Sequence, residues 1–210
     1  MKDSIHVIDN IISLEEQDIL ESYFLKYSKW NFYDNTRNSY NQKFPQYSMA
    51  IRGYEFKKRK QTDKLPQHIE EIILRISTEV SQKLNLQFIE SYRAKANLMK
   101  KEDYDANRNE KLGIHIDRFE DYVGMIYYIN NTDGDTYFYN DHLKDKKNWV
   151  NYVSDTSNFE HFEFRENVKP KKGRIVVFDG MLFHHSTYPK LNDRYIINFN
   201  EVIKETKAII

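Results

Sequence analysis

The stretch Gly113-Ile114-His115-Ile116-Asp117 alternates aliphatic side chains with side chains that can bind a metal. In an extended strand, residues two apart point to the same face, so His115 and Asp117 share one face while Ile114 and Ile116 pack on the other. An imidazole and a carboxylate on one face can reach a single metal ion. The stretch therefore predicts a strand that packs on a core and carries two metal ligands.

Strand-like runs surround this stretch. From Phe88 the hydrophobic period changes from helical to alternating, and Arg93, Lys95 and Asn97 share one face of that first run. Some runs are apolar on both faces, which indicates strands that are covered on both sides. Several strands with no helix between them predict an antiparallel sandwich or barrel. The runs after the first are Gly113–Asp117, Tyr122–Asn130, Asp135–Tyr139, His161–Val168, Gly173–Phe178 and Arg194–Val202.

Two amphipathic helices precede the strands. Ser13 and Glu16 have the spacing of a capping box before the first helix, and the second begins near Pro66, a residue suited to a first helical turn. Each helix has one apolar face, which a sheet would cover. We therefore predict a single domain over residues 1–210, with a helical and strand elaboration at 1–86 and a β core at 87–204.

Composition limits the chemistry and the partners. The chain has no cysteine, which excludes disulfides, zinc ribbons and cysteine nucleophiles and leaves His, Asp and Glu as metal ligands. Those ligands suit iron, manganese or zinc. The formal net charge is +0, so nucleic acid is not favoured as a partner. The sequence shows neither a signal-like apolar stretch nor a run of membrane-spanning length, so we expect a cytoplasmic protein with no membrane partner.

The C-terminal third adds a third ligand and a guanidinium. His184 and His185 follow the apolar run that ends at Phe178, and alternation allows only one of them to point inward. Arg194 opens the last apolar run, where a buried guanidinium needs an anion. A protein carboxylate or a dicarboxylate cosubstrate could supply that anion. The triplet His161-Phe162-Glu163 remains a competing metal motif.

Taken in order from Phe88 to Val202, these elements resemble the 2-oxoglutarate- and iron-dependent dioxygenases, particularly their prolyl-hydroxylase-like branch. One departure is the turn Asp133-Gly134-Asp135-Thr136, where the family has a double-glycine turn and a glutamate. The matching series is Asn97, His115 with Asp117, Tyr127-Tyr128-Ile129-Asn130, the turn at 133–136, Pro170-Lys171-Lys172-Gly173-Arg174, His184 or His185, and Arg194.

The resemblance implies an α+β, mainly β fold: a double-stranded β-helix core of the jelly-roll or cupin type, with the N-terminal helices packed on its major sheet. It also implies that His115, Asp117 and the distal histidine bind Fe(II) as a facial triad with three positions open. The spacing to Phe178 and Arg194 resembles the family's more closely for His184, and His185 is the alternative distal ligand.

The resemblance further implies two cosubstrates, 2-oxoglutarate and dioxygen. Arg194 would bind the far carboxylate of 2-oxoglutarate with help from Tyr128, and Asn97 falls in the same cofactor-binding set. The implied reaction hydroxylates a C–H bond while 2-oxoglutarate is decarboxylated to succinate, and the expected substrates are prolyl, peptidyl or amino-acid-like. The alternatives are the same chemistry on a nucleobase or small metabolite, or a cupin-like metal-binding barrel without oxygenase activity.

Overall fold

The computed structural model describes residues 4–27, 29–35, 44–52, 65–103, 114–118, 120–142 and 162–204. No helix within these ranges is long and apolar enough to cross a membrane. The elements in chain order are β1 (Ile5–Ile8), α1 (Leu14–Lys26), β2 (Asn31–Asn35), β3 (Phe44–Arg52), α2 (Gln67–Lys83), β4 (Phe88–Met99), a 3-10 turn (Lys101–Asp103), β5 (Val123–Tyr128), β6 (Thr136–His142), β7 (Phe164–Val168), β8 (Ile175–Asp179), β9 (Leu182–Ser186) and β10 (Arg194–Ile203).

The strands form two antiparallel sheets. The major sheet has seven strands in the order β1-β8-β5-β10-β4-β3-β2, and the minor sheet has three in the order β7-β6-β9. Among the described strands of the major sheet, β2, β3 and β4 are neighbours both in the chain and in the sheet, whereas the chain leaves this sheet after β5 and after β8 and returns to it at β8 and at β10. This arrangement, with strand as the dominant element, confirms the predicted mainly-β double-stranded β-helix.

Both helices cover one face of the major sheet. Leu20 and Phe24 of α1 and Ile73 of α2 are fully buried in one core with the sheet residues Ala96 and Ile197. Alternation turns the next residue of each strand to the opposite face, towards the minor sheet. A second core, with Tyr128, Phe138 and Phe178 among its members, lies between the two sheets. The predicted position of the N-terminal helices on the major sheet is confirmed.

The helix signals correspond to observed caps. The Ser13 hydroxyl accepts a hydrogen bond from the Glu16 N–H at 3.2 Å, and the Glu16 carboxylate accepts one from the Ser13 N–H at 3.0 Å, which forms the expected capping box. Pro66 is the N-cap of α2, one residue earlier than a first-turn proline, and the helix begins at Gln67.

Several strand boundaries differ from the sequence expectation. The run at 113–117 is not a ladder strand within the described residues, because His115 makes only an isolated bridge to His184. The segments β1, β2, β3 and β9 are not among the strand-like runs expected from the sequence. β2 is an edge strand that pairs with β3 alone, and β9 is buried at its first four positions, so it shows no alternation. His161 and most of the polar segments 101–112 and 140–160 lie outside the described residues, and the domain division stays a prediction.

An ion-pair cluster fastens the N-terminal segment to the start of β8. Arg174 donates to both carboxylate oxygens of Asp9, Nε to Oδ1 at 2.7 Å and Nη2 to Oδ2 at 3.1 Å, and Lys171 Nζ donates to Oδ2 at 2.7 Å. Hydrogen bonds from Arg174, then from Lys171, lower the pKa of Asp9 from 3.8 to about 2. The cluster therefore stabilises the fold only while Asp9 is ionised.

Replacing Asp9 by asparagine should lower the free energy of unfolding at neutral pH by about 1 kcal/mol or less, because the cluster is partly screened by solvent. A depressed folded-state pKa contributes stability above the unfolded value of 3.8 that is lost as pH falls through about 2. The difference between wild type and Asp9→Asn should therefore shrink between about pH 4 and pH 2. Urea unfolding at several pH values in this range measures the stability difference, and the exposed Asp121→Asn is the control. A constant difference would contradict the assignment.

Candidate metal centre and its anion pocket

Three metal-ligating side chains meet where the segment at 114–118 crosses β9. His115 and His184 exchange two backbone hydrogen bonds, each 2.9 Å, and their ring centroids are 4.7 Å apart. Asp117 follows on the same face, with Oδ1 3.8 Å from Nε2 of His115. One ligand atom from each of the three residues lies within 4.8 Å of the other two. The single bridge therefore brings together two imidazoles and a carboxylate that are far apart in sequence.

The two adjacent histidines point to opposite faces of β9. The His184 ring is buried between the sheets, 4.9 Å from the Phe178 ring, and its Nδ1 lies 3.1 Å from the Leu182 carbonyl oxygen. Because a carbonyl only accepts, Nδ1 carries the proton, which leaves the Nε2 lone pair for a metal. His185 lies in the other direction, with Nδ1 3.0 Å from the Tyr139 hydroxyl and its ring stacked on Tyr137 at 4.9 Å. His185 is not part of the three-residue cluster.

Both oxygens of Asp117 are held by β4 and β10. Arg93 Nη2 lies 3.1 Å from Oδ1, and Asn200 Nδ2 donates to Oδ2 at 3.0 Å. Arg93 Nε in turn donates to the Asn200 Oδ1 at 3.0 Å, which closes a triangle of three side chains. Burial would raise the pKa of Asp117, but the charge of Arg93, the neighbouring His184 and His115 rings and the Asn200 hydrogen bond outweigh it and hold this pKa far below its ordinary value. The carboxylate is therefore ionised and fixed in orientation.

The sequence analysis did not assign Arg93 or Asn200 to the site. Their Cα atoms are register partners across β4 and β10, and both side chains lie on the sheet face that carries Arg194. Period-two alternation places Arg93 on the same face as Asn97, and Asn200 on the same face as Arg194. That signal was present in the sequence, but the pairing of the two strands was needed to bring them to Asp117.

Replacing Asn200 by leucine should weaken Mn(II) binding by about 10–100-fold, the usual effect of removing an outer partner of a metal ligand. This change removes a donor to Asp117 without changing charge, whereas removing Arg93 would also remove a cation near the metal. Electron paramagnetic resonance of free Mn(II) gives the affinity. The exposed Asn140→Leu is the matched control, and equal affinities in the two variants would rule out the positioning role.

A fully buried guanidinium defines the anion pocket. Arg194 is 1% exposed at the start of β10; its Nη2 donates to Thr136 Oγ1 at 3.0 Å and its Nη1 to Met99 Sδ at 3.5 Å. Its Nε has no hydrogen-bond partner, and no carboxylate forms an ion pair with it, in the part of the chain that the structure describes. Burial lowers the pKa of Arg194, against the raising effects of Tyr128 and Asp135. A buried cation with an unused donor fits an anionic ligand.

Two hydroxyls complete the pocket beside Arg194. Tyr128 and Thr136 are 2.8 Å apart, oxygen to oxygen, and burial raises the pKa of Tyr128 although Arg194 opposes the shift. The pair holds two hydroxyl protons, of which their mutual hydrogen bond uses one, so the other can be donated to a ligand. The turn at 133–136 lies close to Arg194 because Gly134, with φ of 92°, has no side chain. A Cβ at this position would lie 2.9 Å from the Thr187 carbonyl oxygen and 3.2 Å from Arg194 Cδ. The turn predicted from residues 133–136 thus packs against the guanidinium.

Asn97 lies on the same face of the major sheet as Arg194. It is 1% exposed on β4, opposite Ile196 of β10, and neither of its amide atoms has a hydrogen-bond partner among the described residues. Of the predicted site residues, the structure therefore groups His115, Asp117 and His184, groups Arg194 with Tyr128, places Asn97 nearby on that face, and separates His185 from all of them.

The residues present fit a divalent metal and a carboxylate ligand. Two imidazoles and one ionised carboxylate on one side of a site are the donor set of non-haem Fe(II) oxygenases. The unused donors of Arg194 and the Tyr128–Thr136 pair suit a carboxylate, which accepts two parallel hydrogen bonds from a guanidinium. The arrangement can hold an open-sided cation and, beside it, an anion.

No protein-family model matches the sequence, and no curated protein sequence matches it either. Solved structures do share its fold. A Pseudomonas putida prolyl-4-hydroxylase aligns with a TM-score of 0.59 at 12% identity, covering 97% of this chain and 94% of that chain. A Trichoplax adhaerens prolyl hydroxylase, in complex with a hypoxia inducible factor peptide fragment, aligns with a TM-score of 0.58 at 14% identity, covering 95% and 84%.

A third similar structure is an epimerase. The non-heme alpha ketoglutarate dependent epimerase SnoN from nogalamycin biosynthesis aligns with a TM-score of 0.66 at 9% identity, covering 96% of this chain and 79% of that chain. At these identities the likeness is one of fold, and it extends over nearly the whole chain. The chain therefore has the fold of the prolyl hydroxylases and other 2-oxoglutarate- and iron-dependent oxygenases.

Proposed function

We propose that this protein is a 2-oxoglutarate-dependent Fe(II) dioxygenase that hydroxylates a C–H bond of its substrate. The observation that carries the proposal is the coexistence of two features between the same two sheets. One is the His115–Asp117–His184 cluster, and the other is the buried Arg194 with no anionic partner among the described residues. A passive metal-binding barrel would need the first feature and not the second, because an unpaired buried guanidinium destabilises a fold.

The chain's own residues would hold both groups in place. His115 Nε2, the Asp117 carboxylate and His184 Nε2 would bind the metal, with Leu182 fixing the His184 tautomer. Arg194 and the Tyr128–Thr136 hydroxyl pair would bind the carboxylate of 2-oxoglutarate that lies farther from the metal. Fe(II), when bound, supplies the activation of dioxygen that couples decarboxylation of 2-oxoglutarate to succinate with oxidation of the substrate.

Apolar side chains border the site on the side of the His184 ring. Phe138 and Phe178 border the His184 ring at 6.0 and 4.9 Å, and Ile126 and Ile196 are buried in the core that contains both rings. Apolar walls strengthen the electrostatic contacts to the cosubstrate and limit side reactions. Holding metal, cosubstrate and target bond in register is the main catalytic contribution that we assign to the chain.

We propose a peptide or amino-acid-like compound as the primary substrate. In support, two of the similar structures are prolyl hydroxylases, one of them in complex with a peptide fragment. The formal net charge of +0 gives no general attraction to a polyanion. Succinate release above the substrate-free background, measured with peptides, free amino acids and nucleotides, distinguishes these classes.

The activity itself is tested by succinate release from 2-oxoglutarate with added Fe(II) and ascorbate. Wild-type protein should release succinate only when Fe(II) is present, and His115→Ala should abolish the release because it removes a metal ligand. His68→Ala, which removes an exposed imidazole from α2, is the matched control and should keep wild-type turnover. Intact turnover in His115→Ala, or no turnover in wild type, would contradict the proposal.

A further inference from the structure

The segment that carries His115 and Asp117 has little support from strand pairing. Within the described residues it makes a single bridge, in which His115 and His184 exchange two backbone hydrogen bonds of 2.9 Å. Asp117 lies two residues beyond this bridge, and none of the described strands pairs with its backbone. Because a backbone N–H that is shielded from water needs an acceptor, another group has to hold the Asp117 backbone.

The hydroxyl of Tyr122 is that acceptor. Its oxygen accepts a hydrogen bond from the Asp117 N–H at 3.1 Å, and Tyr122 is only 4% exposed. The Asp117 carboxylate is held separately by Arg93 of β4 and Asn200 of β10. Asp117 is therefore fixed at two points, its side chain by the major sheet and its backbone by Tyr122.

Gly180 determines where the Tyr122 ring lies. The Gly180 N–H donates to the Tyr122 carbonyl oxygen at 3.0 Å, and a Cβ on Gly180 would lie 2.4 Å from two carbon atoms of the Tyr122 ring. The ring therefore packs directly on the backbone of the turn between β8 and β9. That turn leads into the strand that carries His184, so Tyr122 contacts the backbone of one ligand residue and the turn that precedes another.

The residue after Asp117 is anchored by a different contact. The Arg118 guanidinium lies 3.8 Å from the centre of the Tyr92 ring on β4 and 6.0 Å from the centre of the Tyr122 ring. Attraction between a cation and an aromatic face holds this side chain against β4. Arg118 thus restrains the chain beyond Asp117, whereas the Tyr122 hydroxyl contacts the Asp117 backbone itself.

We propose that Tyr122 is a positioning residue for the metal centre, whose hydroxyl fixes the Asp117 backbone and so the placement of its carboxylate beside the two imidazoles. Asp117 Oδ1 lies 3.8 Å from His115 Nε2, a separation that rotation of the Asp117 peptide would change. The inference rests on the proposed function in one respect, because it takes the His115–Asp117–His184 cluster as the metal site. Tyr122 is not a ligand there and acts through Asp117.

Tyr122→Phe tests the role by removing one oxygen atom. The change leaves the Asp117 N–H without its acceptor, so Mn(II) affinity should fall about 10-fold, at the lower end of the usual effect of an outer partner. Electron paramagnetic resonance gives the affinity from free Mn(II), and the spectrum of bound Mn(II) should change because it depends on the geometry of the ligands. Both are measured at a temperature at which circular dichroism shows each variant to be folded.

Tyr127→Phe is the matched control. It removes the hydroxyl of a second buried tyrosine, on β5, which packs in the core beneath the helices and whose hydroxyl has no hydrogen-bond partner in the described part of the chain. This variant should keep the wild-type Mn(II) affinity and spectrum.

Gly180→Ala displaces the Tyr122 ring without removing its hydroxyl. It should also weaken Mn(II) binding about 10-fold, because the new Cβ and the ring cannot occupy the same space. If this effect acts through the hydroxyl, Gly180→Ala should weaken binding by less than about threefold when it is added to Tyr122→Phe. A full further loss in the double variant would overturn the role of the hydroxyl.

The remaining outcomes separate this inference from the function beneath it. Failure of the wild-type protein to bind Mn(II) would remove both proposals. Normal Mn(II) binding by the wild type, with the same affinity and spectrum in Tyr122→Phe, would remove only the positioning role. A lower Tm in Tyr122→Phe with unchanged Mn(II) binding would show that the hydroxyl stabilises the fold and does not position the ligand.

Discussion

Replacing His184 by alanine should weaken Mn(II) binding by more than about 100-fold, whereas replacing His185 should weaken it by less than about 10-fold. Residues that hydrogen-bond to metal ligands typically contribute about 10–100-fold to metal affinity. Removing a direct ligand should therefore weaken metal binding by more than that. Only His184 has a nitrogen in the cluster with His115 and Asp117. The affinities can be measured from the free Mn(II) signal in electron paramagnetic resonance.

His185→Ala is a close control, because it removes the same side chain from the adjacent residue. It breaks the contact of Nδ1 with the Tyr139 hydroxyl at 3.0 Å and the stacking on Tyr137, so it should lower the thermal stability. A stable His184→Ala protein that keeps tight Mn(II) binding, or loss of binding in His185→Ala alone, would transfer the ligand role to His185.

The second large effect concerns Arg194. Its replacement by leucine should raise the KM for 2-oxoglutarate by about 30-fold or more, since removing one partner of a buried, hydrogen-bonded charge pair costs about 2–5 kcal/mol. The free energy of unfolding of the ligand-free protein should rise or stay constant, because the change removes a buried charge that has no carboxylate partner among the described residues. Succinate release and urea unfolding give the two quantities.

Arg174→Leu distinguishes the anion pocket from an ordinary structural arginine. Arg174 makes a two-pronged pair with Asp9, so its loss should lower stability and leave the KM for 2-oxoglutarate unchanged. Arg194→Leu should raise the KM for 2-oxoglutarate and should not lower the stability. If Arg194→Leu loses stability and keeps its KM, the guanidinium serves the fold and the cosubstrate assignment is wrong.

The fold could be predicted from the sequence where local signals were strong. Ser13 and Glu16 specify the start of α1, and the switch to alternating hydrophobicity at Phe88 marks the start of β4. The edge strand β2 could not be recognised, because three of its five residues are Asn or Asp, which are uncommon in strands. β9 shows no alternation since both of its faces are buried between other elements.

The metal ligands of the candidate site could be predicted from the sequence, but the residues that hold those ligands in place could not. His115, Asp117 and Arg194 could be chosen from strand alternation and from the order of the motifs. The contacts of Arg93 and Asn200 with Asp117 depend on the register between β4 and β10, and no short motif specifies that register. The same register brings Asn97 and Asn198 together on the sheet face that carries Arg194.

A crystal structure of the protein with Mn(II) and N-oxalylglycine tests the central claim most directly. We predict one anomalous scattering peak within coordination distance of His115 Nε2, His184 Nε2 and an Asp117 oxygen. The far carboxylate of the mimic should contact Arg194. A metal bound through His185, or a mimic whose far carboxylate does not reach Arg194, would contradict this account.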